Sequence, residues 1–407
     1  MLKKAQAISL EEAVSRLLTN INPLLSTEAV PLDEALGRVA ASDICAPFDQ
    51  PPFARSPLDG YALRAEDTVG ACTEAPAVLT VVGETFAGMP PHLPIRPGQA
   101  VRIMTGAPIP AGADCVVRQE DTNCTGDTVR VYADLDPFQN YCFQGEDIRE
   151  GTCVIRRGTV LDFATIGVLA LLGQARISVV PRPRIGVLAT GDELTEVGLP
   201  LAPGKIYNSN QHLLCARLRE LGALPIALSQ CPDSPEVIAR HIDETLKDCD
   251  LVITTGGVSV GERDFLPEVC RILGGKLLFH GVSMKPGSPA MAFLHRGKPV
   301  LCLSGNPFAV AATFELLARP MLAALCSCPS TLPRTTGVLQ DAFSKVSKRR
   351  RFLRARMIGG KVYLPRGNAE VHSSGALCSM LNCNCMVDIP AGTPQLVPGQ
   401  MVEVVLL

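Results

Sequence analysis

The 407-residue sequence predicts a multi-domain α/β protein. A central doubly wound domain is expected over residues 179–327. An N-terminal mixed helical part (1–178) carries a β-rich insertion at about 46–145, and a small C-terminal β-barrel follows over 328–407. Three observations carry this prediction. Short branched apolar runs alternate with longer helical patterns between residues 185 and 325, the signature of strands and crossover helices in one sheet. Brief strand-like runs separated by Pro-Gly turns fill residues 75 to 135. Two strand-like runs near the C-terminus, Val362–Leu364 and Met401–Leu407, follow a Gly359-Gly360 hairpin signal.

The N-terminal part opens with Ser9 and Glu12, spaced as a capping box before a helix over Leu10–Thr19. A second helical pattern spans Leu32–Ala40, with Leu32, Leu36 and Val39 on one face. Residues 47–61 hold four prolines and a glycine, which excludes a regular element and predicts an ordered loop or hinge. Within it Asp59 precedes Gly60, either as a turn former or as a carboxylate held out for chemistry. The predicted strands of the insertion are Val78–Val82, Ala100–Ile103, Cys115–Arg118 and Val129–Tyr132. Thr105 ends one of them, as a turn residue or as a hydroxyl offered to a ligand. An apolar helix is expected over Thr165–Gly173.

In the central part the predicted strands are Ile185–Ala189, Pro225–Leu228, Asp250–Thr254, Lys276–Phe279, Ala290–Leu294 and Val300–Leu303. The intervening helices are His212–Leu221, Pro235–Lys247, Asp264–Leu273 and Pro307–Leu325. Ligands of open α/β sheets bind where strands end and helices begin, and polar residues gather at those points. Gly256 and Gly257 close the run Leu251–Ile253 and let backbone approach a ligand, with Ser259 beyond them. Lys285-Pro-Gly287 offers an ammonium group. Ser304-Gly-Asn306-Pro307 reads as a helix start, Asn306 as N-cap and Pro307 in the first turn, a place that attracts phosphate. Glu193, Asp233 and Asp264 are hard oxygen donors suited to Mg²⁺. A phosphate and Mg²⁺ site reconciles three carboxylates with a lysine and a Gly-Gly loop. In the C-terminal part the basic run Lys348–Arg356 is expected to be the solvated face of a strand, or else an arm facing an anionic ligand.

The bulk numbers exclude several classes. A formal charge of −2 gives no electrostatic footprint for nucleic acid or anionic membranes. With no tryptophan and 4% aromatics, base-stacking platforms are not expected. No run of about twenty apolar residues suggests a membrane span. The charged N-terminus lacks the apolar centre of a signal peptide, so a cytoplasmic protein with reduced thiols is expected. The 16 cysteines read as small buried hydrophobes. Walker, Gly-x-Gly-x-x-Gly and His-Glu-x-x-His patterns are absent.

Seven segments stand in order along the chain: Ser56-Pro-Leu-Asp59-Gly-Tyr61-Ala, Met104-Thr-Gly-Ala-Pro108, Gly145-Glu-Asp147-Ile, Thr190-Gly-Asp-Glu-Leu194, Thr255-Gly-Gly-Val-Ser-Val-Gly-Glu-Arg-Asp264, Met284-Lys-Pro-Gly287 and Gly305-Asn-Pro307. Together they resemble the MoeA/gephyrin E-domain family of molybdopterin molybdenumtransferases, over nearly the whole chain. The resemblance implies an elongated homodimer of four-subdomain chains, with the cleft at the subunit interface. The implied activity is Mg²⁺-dependent insertion of molybdate into adenylated molybdopterin, with release of AMP. Asp59 and Thr105 would come from one subunit; Glu193, Asp233, Asp264, Lys285 and Pro307 would line the pterin-binding domain. The implied partners are adenylated molybdopterin, molybdate, a second copy of the chain and other cofactor-biosynthesis proteins. The chain departs from the family pattern at Gly281 and Ser288, where lysine is common, at Cys142, where arginine is common, and at Ser304, where proline is common. Those departures leave a second expectation, a catalytically weak paralogue that binds a pterin nucleotide or a protein partner.

Overall fold

The computed structural model describes residues 7–90, 94–258, 265–329, 332–346, 348–367 and 371–407. They form two compact units. One comprises Ser42–Arg156 and Phe163–Ala175; the other takes the chain up to Ala41, Arg157–Asp162 and Arg176–Leu407.

The smaller unit is built on a six-stranded sheet ordered Cys115–Arg118, Gly60–Leu63, Gln99–Ile103, Ala77–Thr85, Thr128–Val131, Thr122–Thr125. The expected strands are all present within a few residues. Alternation in Ala77–Thr85 buries Leu79 and leaves Val78 facing solvent, the period-two pattern of a half-covered sheet. An apolar helix, Phe163–Leu171, belongs to the same unit.

The larger unit opens with α1 (Leu10–Thr19). The Ser9 hydroxyl accepts the Glu12 N–H at 3.1 Å, so half of the capping box forms. The Glu12 carboxylate turns instead to Arg16. Leu10, Ala13 and Leu17 form the buried stripe, and each buried leucine contributes about 1.5–3 kcal/mol. They pack in one core with the central sheet. The expected helix Leu32–Ala40 does not form. Leu32–Glu34 is one 3₁₀ turn. Beyond it Gly37 turns at φ 72° and donates its N–H to the Leu161 carbonyl. Val39 and Ala40 bridge to Val160 and Val179. Strand-like partners outcompete a short helical turn for these backbone groups.

The central sheet contains β1 (Arg184–Ala189), β2 (Leu224–Ala227), β3 (Leu251–Thr255), β4 (Lys276–His280), β5 (Met291–His295) and β6 (Lys298–Leu303) in the order β2-β1-β3-β6-β5-β4. The first four in that order run parallel; β5 is antiparallel to both β6 and β4. Every residue of β3 is buried, as expected of a strand covered on both faces. Helix α2 (Ser209–Glu220) and α5 (Pro307–Leu325) share a core on one face with α1. Helices α3 (Pro235–Asp248) and α4 (Leu266–Ile272) share the other. The layers are those of a doubly wound fold. Ser234 caps α3 and Pro235 occupies its first turn. Helix α5 has the length and hydropathy of a membrane span, contrary to the expectation that no such run exists, yet 83% of its most apolar window is buried inside the protein. A π-helical turn, Phe314–Ala318, interrupts α5, and its Glu315 is paired with Arg217 and Arg319.

The C-terminal segment closes a five-stranded barrel from β7 (Arg334–Leu339), β8 (Arg350–Ile358), β9 (Lys361–Tyr363), β10 (Cys385–Ile389) and β11 (Met401–Leu406). The order is β8-β9-β7-β11-β10, returning to β8. Gly359 and Gly360, both at positive φ, make the two-residue turn that pairs Ile358 with Lys361. Phe352, Met386 and Val405 continue the core of the α/β domain into the barrel wall. None of the 16 cysteines is in a disulfide. Seven are buried as expected, but Cys45, Cys72, Cys124 and Cys378 are exposed.

Candidate functional site

A cleft of about 940 Å³ opens between the strand ends of the central sheet and the barrel. Gly256, Gly257, Lys285, Gly287, Ser304, Asn306 and Glu193 line it from the α/β side. The barrel adds Lys345, Arg349, Arg351 and the segment His372–Ser374. Four cationic side chains thus face one carboxylate among the lining residues, a strongly positive interior for anions.

The local reasons are specific. Gly256 stands at φ 95°, and a Cβ there would lie 2.3 Å from the Thr190 carbonyl oxygen. Its N–H is donated to Leu303 at 3.2 Å, so this glycine packs β3 against the end of β1 and offers no donor to a ligand. Gly257, at φ 63°, keeps an N–H without a backbone partner among the described residues. Gly287 stands at φ 88°, and a Cβ there would lie 2.1 Å from the Thr313 Cγ2 on α5. This close approach fixes the Lys285–Gly287 turn against α5. Lys285 is exposed to the cleft, on the short strand Met284–Lys285 that pairs parallel with Arg350–Arg351 of β8.

The start of α5 differs from its expected form. Asn306 makes no side-chain cap, and the Phe308 N–H is donated to the Ser374 carbonyl at 2.9 Å. Pro307 has no N–H, so Ala309 supplies the first-turn donor left for a ligand among the described residues. Ser304 is nearly buried and its Oγ accepts from the Asn306 N–H. Arg354 holds the Ser374 segment in place. It is 1% exposed, donates to the carbonyls of Ala376, Val371 and Ser373, and lies 4.0 Å from the Phe308 ring centroid. Burial without a carboxylate brings its pKa down to about 10.

Among the expected metal ligands, Glu193 lines the cleft, with its carboxylate folded over Gly191. Asp233 lies on the loop before α3 with its N–H on the Asp192 carboxylate, and it does not line the cleft. Asp264 and Ser259 fall outside the described residues. Among the described residues no three His, Cys, Asp or Glu side chains converge as a metal group. One or two carboxylates are nonetheless the usual protein share of a Mg²⁺ ion that also binds phosphates, and among the described residues Glu193 alone supplies one from the cleft wall.

In the smaller unit the structure brings Asp59 and Thr105 together. The Asp59 Oδ1 accepts both the Thr105 N–H and the Thr105 hydroxyl, each at 2.7 Å. The backbone hydrogen bond from Thr105 is the larger cause holding the Asp59 carboxyl below its ordinary pKa. Asp59 is therefore a fixed, ionised, exposed carboxylate, more than a turn former.

Of the two sequence readings of the basic run, the less favoured one, an arm facing an anionic ligand, fits the barrel's share of the cleft. The basic run expected to be solvated carries Arg351 and Arg354 into buried positions, and Arg349 donates to the Ser288 Oγ at 2.7 Å. The density of arginines on one short strand was the available signal. The sequence reading that no Gly-x-Ser-x-Gly motif is present is incorrect, since Gly257-Val-Ser259-Val-Gly261 has that spacing. Its serine lies outside the described residues.

Fold and cleft together define a doubly wound α/β protein with a positively lined cleft walled by a β-barrel. Comparison with known proteins gives the family. The MoeA N-terminal region (domain I and II) matches residues 8–173, a probable molybdopterin binding domain matches 186–324, and the MoeA C-terminal region (domain IV) matches 336–407. A molybdopterin molybdenumtransferase of Staphylococcus epidermidis is 36% identical over 99% of this chain and 96% of its own length. One from Staphylococcus aureus is 34% identical over 100% and 97%. The crystal structure of a molybdopterin biosynthesis moeA protein from Pyrococcus horikoshii superposes with a TM-score of 0.87 at 33% identity, covering 99% of this chain and 100% of that one. The chain belongs to the MoeA family.

Proposed function

We propose that this protein is a molybdopterin molybdenumtransferase of molybdenum cofactor biosynthesis, inserting molybdate into adenylated molybdopterin and releasing AMP. The observation that carries the reading is the positive cleft at the strand ends, built around Lys285, in a chain that matches molybdenumtransferases over its full length. A phosphoanhydride carries several negative charges, and its cleavage needs charge stabilisation and positioning more than a covalent nucleophile. Lys285 neutralises a phosphate. The Gly257 and Ala309 N–H groups and the Ser304 hydroxyl orient it. Asp59, fixed by Thr105, positions molybdate or a water molecule. Mg²⁺, when bound, would screen phosphate charge, and Glu193 would hold it from the cleft wall. The homodimer implied by resemblance and the cytoplasmic location expected from the sequence belong to the same proposal.

The test is AMP release from adenylated molybdopterin with molybdate and Mg²⁺. The folded wild-type chain is expected to release AMP. Lys285→Ala is expected to lower turnover about 10²–10³-fold, the usual effect of losing one charge-stabilising group. No AMP from folded wild-type protein at saturating substrate rejects the reading, and chelation that leaves the rate unchanged rejects the Mg²⁺ assignment. Sedimentation velocity checks the dimer.

A further inference from the structure

Three observations single out Arg351. First, it stands in register with Lys285 across the parallel pairing of Met284–Lys285 with β8, so two cations are neighbours on adjacent strands. Like charges so placed repel unless an anion joins them. Second, Arg351 is 9% exposed, yet among the described residues it has no carboxylate partner, and its Nε has no hydrogen-bond acceptor. Its guanidinium rests 5.3 Å from the Phe343 ring centroid, a contact that orients the group without neutralising it. Burial alone pulls its pKa below the usual arginine range, as expected where no counter-charge is near among the described residues. Third, it faces the same cleft as Lys345 and Arg349, and Arg349 is the donor to Ser288. Beside Phe343, the buried Nδ1 atom of half-buried His372 also lacks a partner among the described residues.

A buried, unneutralised guanidinium is costly to a folded chain, and a bound anion removes the cost. We propose that Arg351 is an affinity-determining residue for the tetrahedral oxyanion co-substrate. From the barrel wall it supplies the positive charge that the loop position Ser288 does not. The inference rests on the molybdenumtransferase reading for the identity of the anion, molybdate, and on the geometry alone for the residue. Arg351 acts on binding of the oxyanion. The binding of the pterin nucleotide through Lys285 is left to the α/β side.

The test uses the full-length protein with molybdate, and with inorganic phosphate as a comparison anion, read by calorimetry and by the melting temperature. Wild-type protein is expected to bind molybdate saturably and to melt higher in its presence. Arg351→Gln is expected to weaken molybdate binding at least tenfold and to remove the anion-dependent rise in melting temperature. Arg351→Lys, which keeps the charge, is expected to stay within about threefold of wild type in affinity. The double variant Arg351→Gln with Ser288→Lys returns a cation to the same cleft and is expected to recover most of the affinity. In turnover, Arg351→Gln is expected to raise KM for molybdate tenfold or more, with KM for adenylated molybdopterin changed less than threefold. Wild-type affinity in folded Arg351→Gln overturns the proposal, as does equal loss in Arg351→Lys, which would mark a packing role. Phosphate bound as tightly as molybdate overturns the assignment of the oxyanion. Arg351-dependent molybdate binding in a chain that releases no AMP would reject the molybdenumtransferase reading alone. AMP release with Arg351-independent molybdate binding would reject this inference alone.

Discussion

Gly287 offers the sharpest structural test of how the cleft is held. A Cβ at this position would lie 2.1 Å from the Thr313 Cγ2 and 3.3 Å from the Met284 methyl carbon. An ordinary contact needs at least 3.4 Å, so the turn and α5 must separate by about 1.3 Å (3.4 − 2.1). The backbone also stands at φ 88°, where an L side chain costs about 1–2 kcal/mol. Overpacking a tight contact adds about 1–3 kcal/mol, so Gly287→Ala should destabilise by about 2–5 kcal/mol. At about 2–4 °C per kcal/mol the melting temperature falls measurably. Lys285 lies two residues away on the same turn, and a misplacement of about 1 Å can cost 10²-fold in rate. AMP release should therefore fall even where the variant stays folded. Thr313→Ser separates the two causes. It deletes the clashing methyl and keeps the hydroxyl that donates to Ala309 at 2.6 Å. In a double-mutant cycle it should return the packing part, about 1–3 kcal/mol, and leave the backbone part. Gly287→Ala with wild-type melting and turnover refutes the reasoning, and so does a cycle with no coupling between the two sites.

Asp388 is nearly buried and accepts from Arg350 at 2.7 and 2.6 Å and from Arg334 at 2.7 Å. Asp388→Asn should cost about 1–3 kcal/mol, because it weakens charge-assisted hydrogen bonds to a buried acceptor while Arg350 keeps Glu11 and Arg334 keeps Glu403, read by chemical denaturation. Burial alone would raise the Asp388 carboxyl, but the hydrogen bonds from both arginines hold it below the usual range. Its stabilisation is therefore complete above the unfolded carboxyl pKa, about 3.9, and is lost as pH falls through the lower folded value. Melting between pH 6 and pH 3 should show this slope in wild type and not in Asp388→Asn. Asp59→Asn should lower AMP release about 10–100-fold if the fixed carboxylate positions a reactant. Thr105→Ala should cost less than about tenfold, because the backbone N–H remains. In that variant the Asp59 carboxyl should titrate higher than in wild type, as measured by NMR, and an unchanged titration would mean that the hydroxyl does not hold it.

Much of the fold was legible because local pattern and tertiary environment ask for the same thing. Leu251–Ile253 reads as a buried strand in sequence and is one, since β3 is covered on both faces. Gly359-Gly360 predicts its hairpin because few other residues tolerate two positive φ angles in succession. The site was legible where one residue acts through its own chemistry, as Lys285 and Glu193 do, and not where partners decide the role. Asp59 and Thr105 are 46 positions apart, and only the sheet of the smaller unit joins them. The expected donors at Gly256 and at the start of α5 are spent on Leu303 and Ser374, partners that no local pattern reveals. Arg350, Arg351 and Arg354 make the same point most clearly. Side by side on one strand they read as a solvated basic stripe, but their neighbours assign three fates: a carboxylate for Arg350, carbonyls for Arg354, and for Arg351 an aromatic ring with no counter-charge. Arginine tolerates burial only where its donors are met. Arg351 and Arg354 each keep an Nε without an acceptor among the described residues, but Arg354 also meets three carbonyls, and of the three only Arg351 lines the cleft, so its neighbours locate the ligand better than the run of charge does.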